Sequence, residues 1–236
     1  MKHVFVGTLH CGEGDFEKCC KMLNAQEGVL IEHLIISNQP EQLAHNMLWS
    51  AWRERQQNFD IFVKVDADTV LASKNTLAYI ADLMKDDVTG IQAPLYDYFT
   101  DGMINGLNCF SNTVVFKSSD NYLYCDRVDT NHNRVLKAND VPTTLVPAGF
   151  HCSEATPLQA FHFGLHRMLK NQTSTIEKVR QAYKKYNDKL RLFVLEGAAA
   201  AYELGFDKSK KINYADRELR DAFDICVKQH DVDRLS

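Results

Sequence analysis

The chain has 236 residues, 45% of them hydrophobic and 25% charged, and a formal net charge of −4. That length suits one domain with a sizeable appendage and is enough to bury a core. The slightly acidic balance excludes a nucleic-acid binder held by bulk positive charge.

Residues 3–9 read as a buried first strand, followed by a turn with Gly12 and Gly14. Phe16, Cys19, Cys20 and Leu23 recur at i, i+3, i+4, i+7 and predict an amphipathic helix. Val29 to Ser37 is rich in branched residues and reads as strand two. Pro40-Glu41 opens a second helix, with Leu43, Met47 and Ala51 on its apolar face. Strand three is the segment ending in Asp66-Ala67-Asp68. Ser73 is placed to N-cap a helix whose buried side is Leu77, Ile80, Ala81 and Met84, and Val88 to Ala93 reads as strand four. This strand–helix alternation predicts an α/β fold with a mainly parallel central sheet flanked by helices.

The pattern then changes. Residues 94–109 carry Pro94, Asp97, Asp101, Gly102 and Gly106 and read as a long loop. Asn112 to Phe116 reads as a further strand, 118–142 as a polar segment, and Thr143 to Pro147 as a last short strand leading into Phe150-His151-Cys152-Ser153. A helix is expected from Thr156-Pro157, with Leu158, Phe161, Leu165 and Leu169 buried. Ile176, Val179, Tyr183 and Tyr186 mark a next helix, and Leu192 to Leu204 another, ending at Gly205. Leu219, Phe223 and Val227 mark the last. The division expected is a domain of residues 1–170 and a helical C-terminal appendage of residues 171–236.

Asp66 and Asp68 carry the chemistry. Alternate residues of a strand face one side, so a persisting strand would aim both carboxylates at one point. Ligands of open α/β sheets bind at the C-terminal ends of strands. Two hard oxygen donors there suit a divalent cation carrying phosphate.

The first strand into Thr8-Leu9, the second into Ser37-Asn38, the third into the Asp66-Ala67-Asp68 DxD and the later Phe150-His151-Cys152-Ser153 element together resemble a GT-A glycosyltransferase, broadly of the family 2 type. The resemblance spans roughly residues 3–170. It implies the GT-A, or nucleotide-diphospho-sugar transferase, fold. It also implies a metal-dependent transfer of a sugar from a nucleoside diphosphate donor, most plausibly a UDP-sugar, to a hydroxyl acceptor with inversion. In that frame Asp68 and His151 hold Mn²⁺ or Mg²⁺. Asp66 holds the ribose or a metal-bound water, Lys64 reaches a phosphate, and Thr8, Leu9, Glu13 and Asn38 face the base and ribose. The acceptor base is sought at Asp129, Asp126 and Asp101. The chain departs from the pattern in two places: Ser37-Asn38-Gln39 stands where many members carry an acidic residue, and Asp126-Arg127-Val128-Asp129 is the nearest match to their Glu-Asp pair.

Each assignment has a plainer counterpart. The Asp pair would otherwise cap a turn, Lys64 would lie at a strand edge, and His151 would be a buried, hydrogen-bonded histidine. His162 and His166 stand at i, i+4, a spacing also used by zinc ligands. A sugar nucleotidyltransferase is one alternative, but it wants a basic, Gly-rich turn after strand one, and here that turn holds Glu13 and Asp15. A non-catalytic sugar-nucleotide-binding scaffold is another.

The acceptor expected is a glycan, a lipid-linked or a protein hydroxyl. Seven cysteines lie at irregular spacings with no CxxC pair, which argues for reduced thiols and a cytoplasmic setting. The first residues are too poor in apolar side chains for a signal peptide, and no run of about 18 apolar residues suggests a membrane span. Lys170 to Arg191 holds seven basic and two acidic residues, a face suited to peripheral contact with the inner side of a membrane.

Overall fold

A computed structural model of the chain describes residues 1–85, 87–126, 128, 131–207, 209 and 212–232, with side chains to His230. The chain divides into two compact units, Met1–Tyr98 with Gly102–Glu154, and Phe99–Asp101 with Ala155–Ser236. The helix after Thr156 thus groups with the helices that follow it, whereas the sequence places the division at residue 170.

The first unit holds β1 (Lys2–His10), α1 (Phe16–Asn24), β2 (Val29–Ser37), α2 (Glu41–Arg55), β3 (Ile61–Lys64), β4 (Thr69–Leu71), α3 (Thr76–Leu83), β5 (Val88–Asp97), β6 (Gly102–Ser111), β7 (Arg134–Leu136) and β8 (Gly149–His151). The sheet runs β2-β1-β3-β6-β5-β8-β4, with β7 also beside β5. β1 pairs parallel with β2 and β3, and β5 parallel with β7 and β8. β6 runs antiparallel to both β3 and β5, and β4 antiparallel to β8. The sheet is therefore mixed, not mainly parallel.

The cause is the stretch 94–109. It is not a long loop but most of a hairpin: β5 continues to Asp97 and β6 returns from Gly102, which inserts an antiparallel strand beside β3. Pro94 sits at a register irregularity after Ala93, where a missing N–H is tolerated. Two further strand expectations are corrected. Residues 112–116 are a turn at 112–113 followed by irregular chain with a single bridge residue at Phe116, and Val114 and Phe116 are buried. Thr143–Leu145, between Pro142 and Pro147, is a 3-10 turn, and the strand follows at Gly149–His151.

Both sheet faces are buried. In β1, Val4 and Val6 point to one face and Phe5 to the other; β3 repeats this with Ile61 and Val63 against Phe62. The first face packs on Leu23 of α1 and on Leu77 and Ile80 of α3. The second packs on Leu48, Trp49 and Trp52 of α2 and on Phe116, whose ring stacks on Trp49 at 4.4 Å between centroids. The buried face of α2 is thus Ala44, His45, Leu48, Trp49 and Trp52, while Leu43 and Met47 are exposed. Two tryptophans present far more apolar surface than Leu43 and Met47, and they set which side turns inward. Ser73 does not occupy the N-cap of α3: Asn75 does, and the Ser73 hydroxyl accepts its N–H.

The second unit holds α4 (Pro157–Leu169), α5 (Thr173–Tyr186), α6 (Lys189–Glu203) and α7 (Arg217–Val232). α4 starts where the sequence predicts, in a capping box: the Thr156 hydroxyl accepts the Gln159 N–H, and the Gln159 side chain accepts the Thr156 N–H. α6 is N-capped by Asp188 and is followed by Gly205 at φ +65°. Gly164 of α4 and Gly197 of α6 let the two backbones meet: a Cβ on Gly164 would overlap the Val194 carbonyl, and one on Gly197 the Phe161 carbonyl. No helix among the described residues is long and apolar enough to cross a membrane.

Candidate metal centre

Asp66 and Asp68 do not lie on a strand. β3 ends at Lys64 and β4 begins at Thr69, so the two carboxylates sit in the four-residue link between them. They diverge. Asp66 pairs with the Lys64 ammonium, and Asp68 turns toward β8. Register explains the second contact: Thr69 is paired with His151, and the backbone N–H of Cys152 donates to the Asp68 carbonyl at 2.8 Å.

Three side chains converge there. His151 Nε2 lies 3.4 Å from Asp68 Oδ2. Cys152 Sγ lies 3.4 Å from the same oxygen and 3.5 Å from His151 Nε2. The other ring nitrogen, Nδ1, lies 2.6 Å from Oδ1 of the fully buried Asp97. Cys152 takes a left-handed backbone conformation, φ +56°, unusual for a side chain with a Cβ. Sequence reasoning selected Asp68 and His151 and missed Cys152 and Asp97. Cys152 stands beside His151 in the sequence as a second donor type, whereas the Pro, Gly and Asp content of 94–109 masks the strand position of Asp97.

The electrostatics follow from this packing. Burial would push the Asp68 carboxyl up, but His151 outweighs it and the Cys152 thiol adds a hydrogen bond, so Asp68 falls to about 2. Burial opposes an imidazolium at His151, yet Cys152, Asp68 and Asp97 around it hold its pKa well above the ordinary value. Burial, then the charge of Asp68, pushes the Cys152 thiol well up. Cys152 is 1% exposed, so the Cys152–His151–Asp97 line offers no accessible sulfur for a nucleophilic triad.

The segment after Cys152 is anchored by a residue that the sequence reading passed over as merely acidic. Asp15, fully buried ahead of α1, accepts the Ser153 hydroxyl at 2.7 Å and the Glu154 N–H at 3.0 Å. Next to it Glu13 folds back onto the Cys11 N–H at 2.6 Å. Burial, against that hydrogen bond, and then the carboxylates of Asp68 and Asp66 raise Glu13 to about 7. The loop after β1 thus lies close enough to Asp68 and Asp66 for Glu13 to feel their charge.

The remaining expected residues scatter in role. Thr8 is fully buried, its hydroxyl 2.9 Å from His33 Nε2. Leu9 packs partly into the α2-side core. Asn38 is exposed at φ +57°, its N–H donating to the His10 carbonyl at 2.9 Å. Burial opposes the Lys64 charge, but Asp66, with smaller help from Asp126 and Asp68, raises it. Asp126 is an exposed turn residue close enough to be felt by Lys64. Asp101 belongs to the helical unit, where it accepts from Lys185 Nζ at 2.9 Å and Tyr186 Oη at 3.0 Å. Asp129 lies outside the described residues.

His162 and His166 both bond the backbone of Ile212. His162 Nε2 donates to the Ile212 carbonyl at 2.6 Å, and His166 Nε2 accepts the Ile212 N–H at 3.1 Å. The pair fixes residue 212 against α4. Burial lowers His162 to about 4 and His166 well below its ordinary value. In the basic run, Arg191 is 4% exposed and bonds Asp188 and the Phe99 carbonyl, so it is part of the packing.

No family model matches the chain, and no curated protein matches it. Among solved structures, it is similar to A197 from STIV, at 13% identity and TM-score 0.36, covering 47% of this chain and 65% of that one. It is similar to a glycosyltransferase involved in glycosylation of the major capsid of PBCV-1, at 14% identity and TM-score 0.30, covering 45% and 59%. It is also similar to the mannosyltransferase PcManGT from Pyrobaculum calidifontis, in complex with GDP-Man and Mn²⁺, at 13% identity and TM-score 0.33, covering 85% and 74%. The chain thus spans less than two thirds of the first two structures.

Proposed function

We propose that the chain is a metal-dependent glycosyltransferase with a GT-A type of site, moving a sugar from a nucleoside diphosphate donor, a UDP-sugar in the first instance, to a hydroxyl acceptor with inversion. One observation carries the proposal. Asp68, from the β3–β4 link, and His151, from the end of β8, meet at 3.4 Å beside the loop that ends β1, with Asp97 behind the histidine. The donor set of carboxylate and imidazole fits a divalent cation, and Asp68 and His151 would hold it. When bound, such an ion neutralises the charge that develops on a diphosphate leaving group.

The chain's own residues do the rest. Asp97 fixes the His151 ring by holding Nδ1–H, so that Nε2 points to the cation position. Lys64, carried beside Asp66, supplies positive charge on the flank of the site, and Asp66 is left to accept ribose hydroxyls or a water. In this reading Glu13, Leu9 and Asn38, at and after the ends of β1 and β2, would face base and ribose, with the buried Thr8 beneath them. Asp126 is the base we place first, because it is exposed and close to Lys64; it takes the acceptor hydroxyl proton as the oxygen attacks the anomeric carbon. Asp129 follows as second choice. Asp101 comes third, since it is engaged by Lys185 and Tyr186. A glycan, lipid-linked or protein hydroxyl is the proposed acceptor, with peripheral contact at a membrane's inner face through the basic run of α5.

Thermal stabilisation tests the reading. Nucleoside diphosphates are titrated with and without divalent cation, since a ligand of the native state raises apparent stability. A cation-dependent shift with one nucleotide, lost in Asp68→Asn, is expected. A shift that ignores the cation, or survives that substitution, overturns the assignment. Asp126→Asn should stop transfer and keep nucleotide binding; persistent transfer moves the role to Asp129.

A further inference from the structure

We propose that Cys152 is a third protein ligand of this centre, and that the site is built for a thiophilic, tetrahedral divalent cation of the Zn²⁺ class rather than for Mg²⁺. The inference rests on the metal reading above and sharpens it.

Edge lengths carry the argument. Metal–ligand distances of about 2.3 Å for sulfur and 2.0–2.2 Å for nitrogen and oxygen, at tetrahedral angles, put ligand atoms roughly 3.3–3.6 Å apart. The three edges here are 3.4 Å from Oδ2 to Nε2, 3.4 Å from Oδ2 to Sγ and 3.5 Å from Nε2 to Sγ. One atom each of Asp68, His151 and Cys152 thus occupies three corners of a tetrahedron, and the fourth corner is left to a phosphate oxygen or water, the pattern of a catalytic site.

Two further features bear on the site, one on the sulfur and one on the imidazole. The left-handed backbone at Cys152 is a conformation that a residue with a Cβ rarely adopts, and it is secured by the N–H bond to the Asp68 carbonyl. Behind His151 stands Asp97 at 2.6 Å, the buried carboxylate that typically orients a metal-bound imidazole. A thiolate donor selects against Mg²⁺ and in favour of Zn²⁺ and its tetrahedral analogues. Ligation takes the thiolate and the neutral imidazole, so Cys152 gives up its thiol proton and His151 its Nε2 proton to solvent as the cation enters.

The full-length chain is loaded with Co²⁺ as a spectroscopic stand-in for Zn²⁺. A near-ultraviolet sulfur-to-cobalt charge-transfer band and strong visible bands of tetrahedral cobalt are expected. The charge-transfer band should vanish in Cys152→Ser. It should persist in Cys125→Ser and Cys226→Ser, which remove the sulfurs of the two other potential donor clusters among the described residues, Glu41–His45–Cys125 and Glu196–Cys226–His230. Zn²⁺ should bind Cys152→Ser at least tenfold more weakly, with Mg²⁺ unable to displace it from the parent.

X-ray absorption on the zinc-loaded Cys125→Ser/Cys226→Ser chain answers the case in which Cys152→Ser fails to fold. A sulfur neighbour at about 2.3 Å is expected. Only nitrogen and oxygen neighbours, with binding lost in Asp68→Asn, overturns sulfur ligation and leaves the metal-dependent transferase reading standing. A charge-transfer band that survives Cys152→Ser also overturns it. Cation binding that is indifferent to Asp68→Asn overturns both.

Discussion

Asp97 and His151 are register partners on the parallel strands β5 and β8, and their 2.6 Å side-chain bond spans neighbouring strands at the end of the sheet. The imidazole is therefore oriented by a residue whose own position is fixed by backbone pairing. Asp97→Asn keeps the size and an acceptor oxygen but removes the charge. We expect divalent cation to bind about 10–100-fold more weakly, as when such a supporting carboxylate is lost, with circular dichroism unchanged. Equilibrium dialysis checks the first and a far-ultraviolet spectrum the second.

Glu13 gives a pH signature. Its pKa is about 7 in the folded chain against an ordinary value of 4.5. Between those two values the native state holds a proton that the unfolded chain has lost, so the Glu13 contribution to stability falls as pH rises through the window and is constant above it. Glu13→Gln carries no such penalty. With chelator present, urea unfolding should find the variant more stable than the parent by roughly 1–3 kcal/mol at pH 8, and the gain should shrink toward zero at pH 4.5.

His162 works in the opposite direction. Its pKa is about 4 when folded against 6.5 unfolded, so the unfolded chain takes up a proton that the native chain refuses. Stability present above pH 6.5 is lost as pH falls toward 4. His162→Gln retains an N–H donor for the Ile212 carbonyl and has nothing to titrate. Its stability loss over that window should be smaller than the parent's by up to roughly 3 kcal/mol, read from urea midpoints at pH 7 and pH 4.5.

The α4–α6 crossing admits no side chain at two points. Ala at 197 would drive a methyl into the Phe161 carbonyl, and Ala at 164 one into the Val194 carbonyl. Neither obstacle is the flexible tip of a side chain. Gly197→Ala and Gly164→Ala should each destabilise the chain by about 2–4 kcal/mol, despite the better helix propensity of alanine. Thermal melts check this, with Ala199→Gly on α6 as a control that loses only about 1 kcal/mol of propensity.

Much of the first unit was legible because period-two apolar residues of β1 and β3 leave little choice. The Thr156-Pro157 start of α4 and the Gly205 stop of α6 were legible because their capping chemistry is local. The hairpin from Asp97 to Gly102 was not. Its Pro, Gly and Asp residues are those of loops, and only pairing with β3 and β8, distant in sequence, makes strands of them. The inward face of α2 was missed by one position because Leu43 and Met47 satisfy the helical period as well as Ala44 and Leu48 do; the tryptophans decide. At the site, the spacing of Asp66 and Asp68 suggested one shared target. The turn between β3 and β4 instead sends the first to Lys64 and the second to His151.

The short β4–β8 pair, three residues on each side, is what brings residue 68 to residues 151 and 152. Those positions are 84 apart along the chain between Asp68 and Cys152. During synthesis the first donor therefore emerges long before the other two, and β5, β6 and β7 are made in between. Closing a loop of that size is entropically late in folding. On the proposed metal reading, cation uptake by a growing or refolding chain would report that the β4–β8 pair has formed, and a fragment ending before His151 would hold Asp68 without the donors of His151 and Cys152.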